Sequence, residues 1–249
     1  MPYDNAQRKL WAAAGYRTDM GSSATSKPPP KHMVRLYHLS SSEHAISNIT
    51  KGRLKVARLS DLNDPFELMA LSFRYGNVKK AVHDFKAEYN TQMGLLCFSE
   101  DWTSPVMWSH YAARHTGICL GFDVLRTAVE KVQYEEKRLL PELGESDTPY
   151  GLTDEQKELL RRTKCHLWAY EEERRMFVSL ADTIQEGNLH FRPFNENVQL
   201  TEVILGPNCE RSLQDVRKLT SEQHPHARTF NARLAFNHFK VVPKESTVP

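Results

Sequence analysis

From about residue 34 onward the apolar positions fall into short runs, some alternating as strands do and some spaced by three and four as helices require. Val34-Arg35-Leu36-Tyr37-His38-Leu39 reads as a first strand. Ser40 and Glu43 have the spacing of a capping box, so a helix should open there, bury Ala45, Ile46 and Ile49, and stop at Gly52. A strand over 54–57 and a helix over 78–89 follow. The apolar run 94–99 then has the pattern of a buried strand. Ser104-Pro105 places an N-cap and a first-position proline ahead of a helix that should run through Arg114 toward Gly117. Residues 118–122 form another buried strand. Thr153 and Gln156 open a charged helix reaching about residue 165. Strands are expected over 168–178, 189–194, 198–205 and 236–242, and a helix over 213–219. Short strands interleaved with single helices, without a steady βαβ rhythm, predict one α/β domain of the α+β type. It should carry a mixed sheet with flanking helices over residues 33–249.

Residues 1–32 break the pattern. The small polar stretch 21–26 runs into Pro28-Pro29-Pro30 between Lys27 and Lys31, a composition suited to a flexible tail and stiff linker rather than to a core. Composition beyond this excludes little. The chain has 249 residues, 40% of them hydrophobic and 26% charged, with a formal net charge of +2. That is globular, carries no strong nucleic-acid signal, and leaves room only for a local basic patch. No apolar run approaches the ~20 residues of a spanning helix and no export signal opens the chain, so a cytoplasmic protein without a membrane contact is expected. Cys97, Cys119, Cys165 and Cys209 lack CxxC spacing and read as reduced thiols, and no Cys/His ladder predicts a metal.

Three constellations remain. Asn63-Asp64-Pro65-Phe66-Glu67 is a turn, because Pro65 drives Asp64 from helical angles and both polar side chains can bond their own backbone. It is either a structural turn or part of a site. In Met107-Trp108-Ser109-His110-Tyr111, helical spacing puts Trp108 and Tyr111 on one face and His110 on another. Such aromatics serve as core or as a stacking platform for a flat ring. In Glu171-Glu172-Glu173-Arg174-Arg175, strand alternation would turn Glu171, Glu173 and Arg175 to one face, as a pocket wall or a wetted edge.

In order, these segments resemble a bacterial family catalogued as domain of unknown function 2971. The residues that carry the likeness are Asn63-Asp64-Pro65-Phe66-Glu67, Met107-Trp108-Ser109-His110-Tyr111-Ala112 and His115-Thr116-Gly117-Ile118-Cys119-Leu120-Gly121-Phe122-Asp123. Lys164, Trp168 and the Glu-x-Glu-x-Arg unit of Glu171, Glu173 and Arg175 follow. A second likeness is to ADP-ribosyltransferases, whose opening strand, capped helix, glycine and second strand are similar to residues 33–57. It implies a split sheet with NAD as substrate in the cleft and Glu173, Glu171, Tyr111 and His38 as catalytic groups. Arg35, Asn63, Asp64, Trp108, His110 and Arg175 would bind the nucleotide. A macromolecular acceptor, and a toxin or antiviral-defence setting, belong to the same expectation. Breaking the nicotinamide–ribose bond creates an oxocarbenium-like centre that a carboxylate can stabilise. Arg35 or Arg175 would neutralise the diphosphate. Two other readings stay open: a non-catalytic nucleotide sensor, and a metal-dependent hydrolase or nuclease using Asp64, Glu67, Glu171 and Glu173.

Overall fold

A computed structural model describes residues 27–72, 76–140 and 151–244. Of the tail and linker expected over 1–32, residues 1–26 lie outside the described residues. Within them the chain runs β1 (Met33–Ser40), α1 (Ser42–Lys51), β2 (Arg53–Val56), α2 (Gly76–Gln92), β3 (Met93–Ser99), α3 (Pro105–Tyr111) and β4 (Ile118–Leu125). It continues through β5 (Glu130–Lys131), β6 (Gln133–Glu135), α4 (Asp154–Arg162), β7 (Thr163–Cys165), β8 (Glu173–Ser179), β9 (Ile184–Glu186) and β10 (Leu189–Pro193). The last elements are β11 (Val198–Leu205), α5 (Leu213–Gln223), β12 (Arg228–Leu234) and β13 (Val241–Pro243).

An eight-stranded sheet in the order β13-β12-β11-β4-β1-β3-β8-β5 organises the fold, beside the small sheets β2-β10-β9 and β6-β7. It is mixed: β11 and β12 are parallel, while β4 runs antiparallel to both β1 and β11. The fold is thus mixed α/β, as expected. β4 is buried from Ile118 to Val124, which explains its near-continuous apolar run. One face of the sheet, with Leu36, Leu120, Phe122 and Val203, packs on Ala45 and Ile49 of α1 and Val216 of α5. Leu39, Cys119 and Ile204 pack with Trp108 of α3. Val78, Val82 and Tyr89 of α2 join Leu95 and, from α4, Leu160. All four cysteines are free thiols.

Several local expectations change. Helix α1 is capped by Ser41, whose hydroxyl accepts from the His44 N–H at 3.3 Å, because Ser40 still belongs to β1. Gly52 ends that helix with φ 60°, as its position predicted. Helix α3 stops at Tyr111 rather than Arg114. Ala113, Arg114 and His115 take φ values of 45°, 56° and 71°, a left-handed turn that carries the chain into β4. Gly117 completes that turn: a Cβ there would lie 2.1 Å from the Ser40 carbonyl oxygen. The long strand expected over 168–178 is a 3-10 turn (His166–Glu171) followed by β8, with Glu172 between them at φ 44°. Finally, 228–234, where Phe230, Ala232 and Leu234 alternate with polar residues, forms a strand that was not among those expected. Phe236 and Phe239 lie in the turn after it rather than in the last strand.

Candidate active site in the parting of the sheet

Strand β1 pairs with β4 over eight consecutive residues, but its register with β3 consists of Tyr37 opposite Ser99 alone. The two strands part, and a cleft with about 580 Å³ of empty space, solvent included, opens between them. Strand β1 supplies Tyr37 and His38 to its walls. The loop after β2 gives Asn63 and Glu67, α3 gives Tyr111, β7 gives Lys164, and the chain entering β8 gives Glu171 and Glu173. His38, Tyr111, Glu171 and Glu173, brought from three distant stretches of sequence, therefore share one cavity.

These side chains form one continuous polar chain. The Asn63 amide donates to the Tyr111 hydroxyl at 2.8 Å, and that hydroxyl donates to Glu171. Lys164 Nζ bridges Glu171 at 2.5 Å and Glu173 at 3.1 Å. Arg175 then grips Glu173 in a two-point contact, Nε at 2.9 Å and Nη2 at 3.0 Å, and reaches Glu67 at 2.5 Å through Nη1. Glu67, Lys164, Glu171, Glu173 and Arg175 are all buried. Buried charges persist only when paired this closely.

Three carboxylates share two cations, and they divide unequally. Burial pushes Glu173 up, but Arg175 and Lys164 outweigh it and hold its carboxyl down to about 2. Glu171 moves the other way: burial raises it above the ordinary carboxylate value, against the pull of Lys164 and the Tyr111 hydroxyl. Glu67 is raised by burial as well, despite Arg175. The cleft thus holds one carboxylate fixed in its ionised form beside another that takes a proton more readily. Opposed environments of this kind divide acid–base work between neighbouring carboxyls.

Burial also lowers the pKa of His38, so its imidazole is neutral. Nδ1 lies 3.1 Å from the Cys97 carbonyl oxygen, which can only accept. Nδ1 therefore carries the proton and Nε2 is left as the ring's acceptor.

The binding candidates fare differently. Of the six, Asn63 alone lines the cleft. Arg35 is committed to a cross-strand pair with Asp123 at 2.5 Å and to Glu202 at 3.4 Å. Asp64 closes a turn by accepting from the Phe66 N–H at 2.9 Å. Trp108 is wholly buried core and donates its indole N–H to the Trp102 carbonyl at 2.6 Å, so it is no stacking surface. His110 is exposed and bonded to the Tyr170 hydroxyl at 3.0 Å. Arg175 stands behind Glu173 as its positioning partner rather than in the cleft wall. Sequence reasoning gave no role to Tyr37 or Lys164. Tyr37 could have been suspected as the strand neighbour of His38; Lys164 belongs to the family likeness but was read as part of the helix from Thr153, which ends at Arg162 and gives way to β7.

Among the described residues no group of three or more His, Cys, Asp and Glu side chains is arranged to hold a metal ion. The carboxylates of the hydrolase reading are arranged otherwise: Glu67, Glu171 and Glu173 pair with Arg175 and Lys164, while Asp64 accepts from its own turn through Oδ1 and keeps Oδ2 buried without a partner among the described residues. No helix among the described residues is long and apolar enough to cross a membrane.

No family is assigned. No protein-family model, curated protein or solved structure matches the chain.

Proposed function

We propose that the cleft cleaves the nicotinamide–ribose bond of NAD, as an ADP-ribosyltransferase or NAD glycohydrolase does, passing ADP-ribose to a macromolecular acceptor or to water. One observation carries the reading: Glu171 and Glu173 meet Tyr111 and His38 in a cleft opened by the parting of two strands, with their proton affinities driven apart.

As the C1′–N bond breaks, the electron pair leaves with neutral nicotinamide and positive charge grows at the ribose. Glu173, ionised at any physiological pH, stabilises that charge. Glu171, whose carboxylate has the higher proton affinity, receives the proton of the incoming hydroxyl as its oxygen bonds to C1′. His38 accepts a ribose hydroxyl hydrogen at Nε2. The Tyr111 ring supplies an aromatic wall for the nicotinamide, its hydroxyl fixed between Asn63 and Glu171.

A non-catalytic nucleotide sensor is the second reading. It is favoured by the saturation of Glu173 with partners from Arg175 and Lys164. One experiment separates the two: the full chain is mixed with NAD, with and without cell extract as acceptor, while calorimetry follows binding and chromatography follows nicotinamide. Release supports the enzyme, and binding without release supports the sensor. A folded chain that neither binds nor consumes NAD overturns both.

A further inference from the structure

Glu173 is aimed by its main chain as well as by the cations on its carboxylate. It opens β8 directly after Glu172, whose φ of 44° reverses the chain out of the 3-10 turn. That reversal brings Glu171 and Glu173 onto one ammonium, and a left-handed glutamate persists only where the surrounding backbone is tied down. Three of the ties run main chain to main chain. The Glu172 N–H donates to the Ala169 carbonyl at 3.2 Å, and the Glu172 carbonyl accepts from the Glu100 N–H at 3.0 Å. The Glu173 carbonyl accepts from the Val132 N–H at 3.0 Å.

The fourth tie is a side chain. β5 pairs with β8 as far as Lys131 opposite Arg174, and the Val132 N–H extends that ladder by one bond. The Glu173 N–H goes to the Tyr134 hydroxyl, at 2.8 Å. Tyr134 lies on β6, where its backbone is in register with Lys164 of β7. One residue therefore ties the chain carrying the carboxylate to the strand carrying the ammonium. Burial, with the Glu173 and Glu171 carboxylates nearby, pushes the phenol up to about 12, so it is neutral. Tyr134 does not line the cleft.

We propose that Tyr134 is a positioning residue for the cleft: its hydroxyl holds the Glu173 main chain so that the carboxylate rests on Lys164 and Arg175 and faces the ribose. The inference rests on the NAD-cleaving reading of the cleft. The groups acting on the Glu173 carboxyl are Arg175 on its own strand, Lys164 on β7, Cys97 on β3, and Glu171 and Glu67 beside it. Tyr134 acts on the backbone instead. Without its oxygen a buried N–H loses its acceptor, and the first residue of β8 moves to find another.

Tyr134→Phe keeps the ring and removes the acceptor. The test labels the full chain with carbon-13 at the glutamate carboxyls and titrates it by NMR across the pH range in which the fold persists. Nicotinamide release and NAD affinity are measured on the same samples. In wild type, Glu173 stays a carboxylate well below 4.5 and Glu171 titrates above it. In Tyr134→Phe the two midpoints should approach each other, and release should slow about tenfold at nearly constant affinity. Val216→Ala, which opens a cavity under α5 on the far side of the core, should leave both midpoints in place. Midpoints that stay apart in a folded Tyr134→Phe protein would overturn the proposal. So would midpoints that converge equally in Val216→Ala, or that converge while the rate is undiminished. A wild type that cleaves no NAD removes the reaction itself, and the midpoints then still show whether Tyr134 holds Glu173 in place.

Discussion

The two edges of β1 are built on different principles. Toward β4 the ladder is complete, and the layers beside it are mainly apolar, Leu36, Leu120, Phe122 and Val203 on one face and Leu39 and Ile204 on the other, with the single charged cluster Arg35–Asp123–Glu202 set among them. Toward β3 the ladder reduces to one registered pair, and the space holds ionised and hydrogen-bonded side chains that pair with each other. The first edge is held by apolar burial and backbone hydrogen bonds. The second exists because Lys164 and Arg175 make buried carboxylates tolerable. A cleft with chemistry in it needs the second kind of edge, and it is stable only because the first is beside it.

The largest expected effect breaks the polar edge. Arg175→Ala leaves Glu67 and Glu173 buried with one cation between three carboxylates and should cost about 3–5 kcal/mol, read as a shift in the urea unfolding midpoint. Arg35→Met strips the shared cation from two carboxylates at the complete edge, Asp123 and Glu202, whose side chains are 10% and 5% exposed, and should likewise cost about 3–5 kcal/mol. An Arg175→Ala cost below about 1 kcal/mol, the size of an exposed pair, would mean that the polar edge is not held by this ion pairing. On the apolar side, Leu120→Ala should cost about 2–5 kcal/mol by leaving a cavity, without altering the acid limb of the stability curve.

That acid limb is the third expectation. Glu173 falls from 4.5 to about 2 on folding, so the stability it adds is complete above pH 4.5 and is lost as pH drops toward 2. Glu67 and Glu171 are raised, so they contribute stability below 4.5 that fades as pH rises through their folded values. Glu173→Gln should flatten the loss between pH 4.5 and 2, and Glu67→Gln should flatten the opposite slope above 4.5. Unfolding curves across that range check both, and matching slopes in the two variants would contradict the division between the carboxyls.

The smallest effect is local. Ser41→Ala should cost about 1 kcal/mol by removing the cap of α1. Ser40→Ala should cost less, since its hydroxyl makes only a long 3.4 Å contact with the Ser41 carbonyl. Thermal unfolding of the two variants decides which serine opens the helix.

What the sequence disclosed follows the reach of each signal. Ser104-Pro105, Gly52 and Thr153 with Gln156 are local devices, and each stands where its spacing predicted. The strand 198–205 was legible because apolar residues recur along it. β12 alternates Phe230, Ala232 and Leu234 with Asn231 and Arg233, a strand pattern that stood in the sequence but was outweighed by the more apolar stretch over 236–242. The left-handed turn at 113–115 is imposed by the tight passage of Gly117 beside Ser40, a contact no local pattern contains. In the cleft, the pairing of Glu171 with Glu173 was read from strand alternation. It arises instead from a 3-10 turn, the reversal at Glu172 and the shared ammonium of Lys164. The Arg175–Glu67 link joins residues 108 apart in sequence and is invisible to any spacing rule. Trp108 and Tyr111 lie one turn apart on α3. Periodicity could not say that the first fills the core while the second reaches Glu171.

The most direct test of the central claim is the rate of nicotinamide release from NAD by wild type and Glu173→Gln, with NAD affinity measured on the same samples. A charge felt mainly at the transition state changes the rate and leaves ground-state binding alone. The expected result is a fall of roughly a hundredfold or more, about 2.7–4 kcal/mol, at nearly constant affinity. A Glu173→Gln protein that is folded and releases nicotinamide as fast as wild type would contradict the account.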